Sequence, residues 1–533
     1  MSRRAGEAVV VAAVAGIALW LRLVHLGTPS IWWDELVEIR TAERPFSSML
    51  DTVRYGIAWG GSAGAMPADY ALMNVYLHAT RLRTPAHLEA YYRAPACAAS
   101  VVAVVALYFL GRSLFGRATG ALAAWLLALS LPAILYAAEA RSYSLFTLAT
   151  IVDVAAFAGV VRAPHRPARW LVHLVANAFY FLTGIFGLLV IGVQYATLAV
   201  LALRGRVSRP PLWAVAASGV ALAVVVGRYF AGTPVETVYP RNAIVEPLAM
   251  TWASLYFFAA NGMTLAVAFI VALPFAVRAG VRRGGGAVAW AIVLAFTALP
   301  AIALAIRWKH YYFHGRHVLF LLPLFHLVVA AGTIELVRLV DPLRRLVRTP
   351  ATRRAVEAVA ACTLALGIAL PALRGFIAAP HGHFALTKTL RQVGSLTRDL
   401  AAHMVTLAPG TPFLLLAERN SSANAVLSAY LDWYGLTRRI TLRSPGVPLD
   451  QVESILRAHD GDPTALKLRV AHGLFFGFRS LLRLEKPIGE VPSRVSHVGI
   501  VGYATPQQGP DVRRYFGVSL RVPAAIAPSP PRS

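Results

Sequence analysis

Long apolar runs, separated by short basic connections, fill the chain to about residue 370. About eleven of them read as helices crossing a bilayer with an apolar core about 30 Å thick. They lie near 8–24, 95–114, 118–136, 143–161, 170–182, 187–203, 212–229, 263–277, 287–306, 318–337 and 356–373. The stretch 247–261 reads instead as a helix lying in the interface. The run 170–203 reads as two short helices meeting near Thr183 and Gly184, because a single crossing would put the basic connections at Arg166 and Arg206 on opposite sides. After residue 375 charges return. Helix-like stretches (390–405, 421–433) then alternate with short strand-like runs (413–416, 440–442, 498–501).

The expected fold is therefore an all-α polytopic membrane protein with a small C-terminal α/β domain. The expected divisions are a transmembrane domain over 1–374, the α/β domain over 375–522, and a tail rich in Pro, Ala and Ser over 523–533.

Charge fixes the expected orientation. Alternate connections carry Arg3 and Arg4, Arg112 and Arg117, Arg162, Arg166 and Arg169, Arg204, Arg206 and Arg209, Arg278, Arg282 and Arg283, then Arg338 onward. Cytoplasmic loops collect Lys and Arg. This predicts a multi-pass protein of the plasma (inner) membrane, with a cytoplasmic N-terminus and an extracytoplasmic C-terminal domain. The same bias accounts for the net charge of +26 without a nucleic-acid partner. The two cysteines, Cys97 and Cys362, sit in apolar runs and indicate no disulfide framework. No Cys/His spacing suggests a metal site.

The candidate chemistry lies on the outer side. The first outer loop ends Ser30-Ile31-Trp32-Trp33-Asp34-Glu35. Adjacent carboxylates at a membrane surface are costly unless paired or used. One can serve as general base for an acceptor hydroxyl attacking a sugar anomeric carbon. Asp34 can also simply cap a helix, and Trp32 and Trp33 can be interfacial belt residues. The turn between the third and fourth spans carries Tyr136, Glu139, Arg141 and Tyr143, where the carboxylate and guanidinium can pair or orient a substrate. Lys309, His310, Arg316 and His317 cluster before the tenth span. An Arg fork suits a phosphate, and snorkelling to the interface is the plainer use of the same residues.

These residues resemble GT-C glycosyltransferases of the protein mannosyltransferase and aminoarabinose transferase type. The likeness is carried by Arg22, Gly27, Ser30, Trp32, Asp34 and Glu35, and by Glu139-Ala140-Arg141-Ser142-Tyr143 after Pro132 and Tyr136. Tyr92-Arg93-Ala94-Pro95 and Thr183-Gly184-Ile185-Phe186-Gly187 add to it, as does Arg316 before Pro323. It covers roughly 21–337. Gly184 stands where the family has His, His317 where it has Tyr, and Ala65-Met66-Pro67-Ala68-Asp69 where many members have a basic residue and two prolines.

The resemblance implies an inverting transferase that moves a sugar from a polyprenyl-phosphate donor to an extracytoplasmic protein, glycolipid or cell-envelope glycan. It implies Asp34 as catalytic base, with Glu35 and Glu139 beside it. It implies substrate contacts from Arg22, Trp33, Tyr136, Arg141, Tyr143, Lys309, Arg316 and His317, with Arg241 a further cation for the donor phosphate. Some relatives need a divalent metal and others do not, so that cofactor stays open. The alternatives are a transporter or flippase of a lipid-linked or anionic solute, and a non-catalytic scaffold. A transporter predicts charges near the bilayer midplane.

Overall fold

The protein is seen in a computed structural model. It describes residues 3–55 (save 25 and 29), 67–81, 87–205, 247–260, 263–309 and 315–339, together with scattered positions and three short strands elsewhere. The expected spans at 212–229 and 356–373 fall largely outside these residues. So do Arg241, His310, the run 440–442 and nearly all of the expected C-terminal helices.

The chain is mostly helical. In order come α1 (Arg3–Leu23), α2 (Trp33–Ala42), α3 (Phe46–Tyr55), α4 (Pro67–Thr80), α5 (Leu88–Phe115), α6 (Arg117–Ala128), α7 (Leu131–Ala137), α8 (Tyr143–Arg162), α9 (Pro167–Thr183) and α10 (Gly187–Leu203). Then follow α11 (Pro247–Phe258), α12 (Met263–Arg282), α13 (Gly286–Ala295), α14 (Ala298–Lys309), a 3-10 turn (Gly315–Leu321) and α15 (Leu322–Leu339).

Six helices among the described residues are long and apolar enough to cross a membrane, and a seventh if α6 and α7, bent by 57°, form one broken span. The chain is a multi-pass membrane protein. The difference from eleven has local causes. The expected third span is the broken α6–α7 pair. The expected fifth and sixth are α9 and α10, of 17 residues each. They separate at Gly184, where the sequence placed the break. The stretch expected to lie in the interface forms the helix α11.

The chain divides into two units. The larger takes in Met1–Val24, Glu38–Arg81 and Tyr92–Arg374. The second joins His25–Val37 and Leu82–Tyr91 to Gly375–Ser533.

In the larger unit α15 is the central helix. Leu324, Phe325, Leu327, Val328 and Ala330 along it are all at most 2% exposed. Phe325 stacks on Phe269 of α12 at 4.7 Å and meets Phe258 of α11 at 5.8 Å. Small residues let the helices approach closely, as membrane interfaces favour. A Cβ on Gly332 would lie 2.4 Å from Ala272 of α12, and one on Gly120 would lie 2.5 Å from the Tyr108 carbonyl of α5.

The break between α6 and α7 exposes helix-end carbonyls that need donors. Arg22, 1% exposed, reaches over from α1 to supply them. Its Nη atoms donate to the Ala128 and Leu127 carbonyls at 3.1 and 3.3 Å, and its Nε donates to Ser100 Oγ at 2.7 Å.

In the second unit, β1 (Phe413–Ala417) pairs in parallel with β2 (His497–Val501), which pairs antiparallel with β3 (Val518–Arg521). Two of these strands fall where the alternating runs predicted them.

Candidate functional site

The larger unit carries its polar cluster where α2, α4 and the α7–α8 turn meet. Pro132 in the first turn of α7 suits a helix start, because its missing N–H is not needed there. The short helix ends at Ala137. The chain then turns tightly, with the Arg141 N–H donating to the Glu139 carbonyl at 2.8 Å, and re-enters a helix at Tyr143. The Ser144 hydroxyl donates back to the Tyr136 carbonyl at 3.3 Å, closing the turn. This geometry buries Glu139 completely and leaves Arg141 7% exposed.

Arg141 projects to α2, where its Nη1 lies 3.1 Å from Glu38 Oε2. Glu38 is fully buried. Asp69, in the first turn of α4, hydrogen-bonds Glu38 and feels the Arg141 charge. Burial pushes the Asp69 carboxyl up from its ordinary range, against the smaller opposing pulls of Glu38 and Arg141. Two carboxyl groups in hydrogen-bond contact need one proton between them. With the guanidinium, the trio then carries no net charge, which is what makes its burial tolerable.

Neighbouring contacts hold the trio in register. Asn74 Nδ2 donates to the Ala42 and Arg44 carbonyls, both at 2.7 Å, tying α4 to the end of α2. The Tyr92 hydroxyl donates to Glu43 Oε1 at 2.6 Å. The Tyr136 and Tyr143 rings meet edge to face at 5.0 Å, and the Arg141 guanidinium sits 5.8 Å from the Tyr143 ring centre. That is within range of a cation–π contact. Below the two tyrosines a narrow cavity opens, lined by Ser100, Ser144, Thr147 and Leu319 among others. A buried cation, a shared proton and two tyrosines beside a cavity can orient an anionic or hydroxylated group and pass it a proton.

The other expected residues are placed as follows. Arg22 is occupied by the backbone of the α6–α7 break. Arg316 and His317 lie half-buried on the 3-10 turn, with the His317 ring 6.2 Å from Phe186. The Lys309 and Trp33 side chains lie outside the described residues. Gly184, in the place of the family's His, packs so close to Phe146 that a Cβ would sit 2.5 Å from its ring.

In the second unit the first loop is built from both ends of the sequence. Glu35, fully buried, accepts from the Trp32 N–H at 3.3 Å. A Glu at the third helical position reaching back to the cap is half of a capping box. Asp34 is half-buried at the second position. The Tyr430 hydroxyl accepts from the Ile31 N–H at 2.7 Å and donates to Glu89 Oε1 at 2.9 Å. Arg398 donates to the Gly27 and Thr28 carbonyls at 3.0 and 3.1 Å and lies 3.4 Å from Glu89.

Glu38, Tyr430 and Arg398 were not singled out in the sequence. Glu38 had a signal, standing four residues after Asp34 in a helix-forming stretch. Tyr430 and Arg398 had none. Among the described residues no group of three His, Cys, Asp or Glu side chains is placed to hold a metal ion.

No family model matches the chain, and no curated protein does. Among solved structures it is similar to ArnT from Cupriavidus metallidurans in the apo state, at 15% identity and a TM-score of 0.47, covering 99% of this chain and 100% of that one. It is similar to the same protein bound to undecaprenyl phosphate, at 15% identity and a TM-score of 0.46, covering 82% and 86%. It is also similar to the Archaeoglobus fulgidus oligosaccharyltransferase in complex with zinc and sulfate, at 12% identity and a TM-score of 0.44, covering 92% and 67%.

Proposed function

We propose that this chain is a membrane glycosyltransferase that moves a monosaccharide from a polyprenyl-phosphate carrier to an extracytoplasmic acceptor, with inversion. The observation that carries the reading is the Arg141–Glu38–Asp69 trio, with Arg141 and Glu38 buried and Asp69 half-buried, which stands at the turn whose Glu-Ala-Arg-Ser-Tyr sequence carries the family resemblance. An inert span connection has little reason to bury an ion pair and set a second carboxyl against it, since such groups are expensive in a membrane protein.

In this reading Asp34 accepts the proton of the acceptor hydroxyl as that oxygen attacks the anomeric carbon. The bond from that carbon to the donor phosphate breaks, and the lipid phosphate leaves with negative charge. Cations aimed at the leaving oxygen stabilise it, and Arg316 and Lys309 are the candidates. Glu139, Arg141, Tyr136 and Tyr143 orient the sugar. Glu35 supports Asp34 by holding the start of α2, and Arg22 supports the site through the α6–α7 break. The basic connections face the cytoplasm and the acidic motifs face outward, with eleven spans in all. The segment 375–522 forms an α/β domain on the outer side, and 523–533 is its tail. The acceptor is a protein, a glycolipid or an envelope glycan.

Removal of the protein tests the reading. A polyprenyl-phosphate sugar should accumulate in the membrane, detectable by mass spectrometry of extracted lipids. An unchanged lipid-linked sugar pool would count against it.

One observation favours a transporter instead. Asp153 lies fully buried midway along α8, accepting from Gln194 Nε2 of α10 at 2.6 Å. Acids at such depth mark ion and substrate paths in transporters. Asp153→Asn separates the two ideas: it should leave glycosyl transfer intact in an enzyme and abolish coupled transport in a carrier.

A further inference from the structure

Among the described residues, one end of the larger unit gathers cations far in excess of carboxylates. Glu335, 2% exposed near the end of α15, is approached by Arg282 at 2.8 Å, Arg278 at 3.5 Å and Arg338 at 3.6 Å. Arg283 follows directly. Its guanidinium lies against Gly116, where a Cβ would come within 2.5 Å of it. Gly116 adopts a φ of +98°, which favours glycine, so the same residue serves the turn and the docking of the arginine. On either side of Gly116, Arg112 and Arg117 share Glu7. Arg162 joins this end, donating to the Ser113 carbonyl at 2.6 Å.

Among the described residues, seven arginines therefore stand around two carboxylates. The crowding has an electrostatic signature. The Arg283 pKa is lowered, first by burial and then by repulsion from Arg338 and Arg282, with Glu335 offsetting only part.

The flanks of the adjoining helices are apolar and uncovered. Val271 and Val281 of α12 are 48% and 60% exposed, and Trp290 and Leu294 of α13 are 52% and 43% exposed. Cations at the end of a span, above an apolar wall of membrane length, match the two halves of a charged lipid.

We infer that this end of the protein binds the headgroup of an anionic phospholipid, with Arg278, Arg282 and Arg283 on the phosphate and the acyl chains along the exposed faces of α12 and α13. A free anion would use only the first half of this surface. Juxtamembrane basic clusters bind acidic headgroups in the same way.

The test uses the full-length protein in nanodiscs of equal phosphatidylglycerol and phosphatidylcholine, with bound lipid measured by native mass spectrometry after release. Phosphatidylglycerol should be enriched severalfold over phosphatidylcholine. The double variant Arg278→Gln/Arg283→Gln leaves Arg282 to hold Glu335, and it should bring the ratio of the two bound lipids down to about one. Inorganic phosphate should displace no more lipid than chloride of equal ionic strength. Equal retention of both lipids by the wild type would overturn the inference, as would enrichment unchanged in the variant. Selective displacement by inorganic phosphate would also overturn it, showing a site for the free anion.

Discussion

Arg141 Nη1 stands 3.1 Å from Glu38 Oε2, joining a turn between two membrane helices to a helix that begins about a hundred residues earlier. Both partners are nearly excluded from solvent. Removing one partner of such a pair leaves an uncompensated buried charge, at a cost of about 3–5 kcal/mol. Arg141→Ala should therefore lower the melting temperature of the detergent-solubilised protein sharply. Arg141→Lys keeps the charge and should lose less. Equal melting of Arg141→Ala and wild type would show that the pair contributes no stability.

Asp69 gives the cluster a pH dependence with a definite sign. Its carboxyl is raised by burial. A raised acid favours the folded state while it is protonated, so its stabilising contribution is full below the ordinary carboxyl range. That contribution is lost as pH rises through the raised value. The wild type should thus lose stability across that window. Asp69→Asn, which cannot ionise, should lose less, so its melting temperature relative to wild type should improve as pH rises. Parallel melting curves from pH 4.5 to 8 for the two proteins would contradict this.

Much of this was legible in the sequence, and the limits are physical. Apolar length located α1, α5, α8, α12 and α15, because a span must satisfy its own backbone over the full bilayer depth. The Glu139–Arg141 turn stood out because charge is rare beside apolar runs. Glu38 did not stand out, since it follows Asp34 inside an ordinary amphipathic stretch and only burial distinguishes it. The roles of Tyr430 and Arg398 depend on contacts with residues 27–31 and 89, hundreds of positions away, and no local pattern encodes them. Arg22 was noticed for its place in a motif, yet its bonds to Leu127 and Ala128 answer a helix break visible only in three dimensions.

That break sets a prediction for Arg22. Arg22→Met keeps most of the volume but removes the donors to the Ala128 carbonyl and Ser100 Oγ and leaves the Leu127 carbonyl only its backbone bonds. Each buried polar group left unsatisfied costs about 1–3 kcal/mol. The variant should be destabilised and should show faster hydrogen exchange around residues 127–137. Exchange identical to wild type there would mean that the break holds without Arg22.

Tyr430 links the first loop to Glu89 through one hydroxyl. Tyr430→Phe removes both bonds while keeping the ring. The loop carrying Asp34 should lose its set position, so turnover should fall about tenfold or more, as displaced catalytic groups do. Apparent donor affinity should change little. Unaltered kcat would remove Tyr430 from any positioning role.

Asp34 as the base that starts sugar transfer is the central claim, and one kinetic measurement meets it directly. Purified wild-type protein and Asp34→Asn, matched in melting temperature, are supplied with a polyprenyl-phosphate sugar and acceptor membranes, and donor consumption is followed. The expected result is turnover in the wild type and a loss of at least about a hundredfold in the variant, the scale of a missing general base. Equal turnover by both proteins would contradict the account.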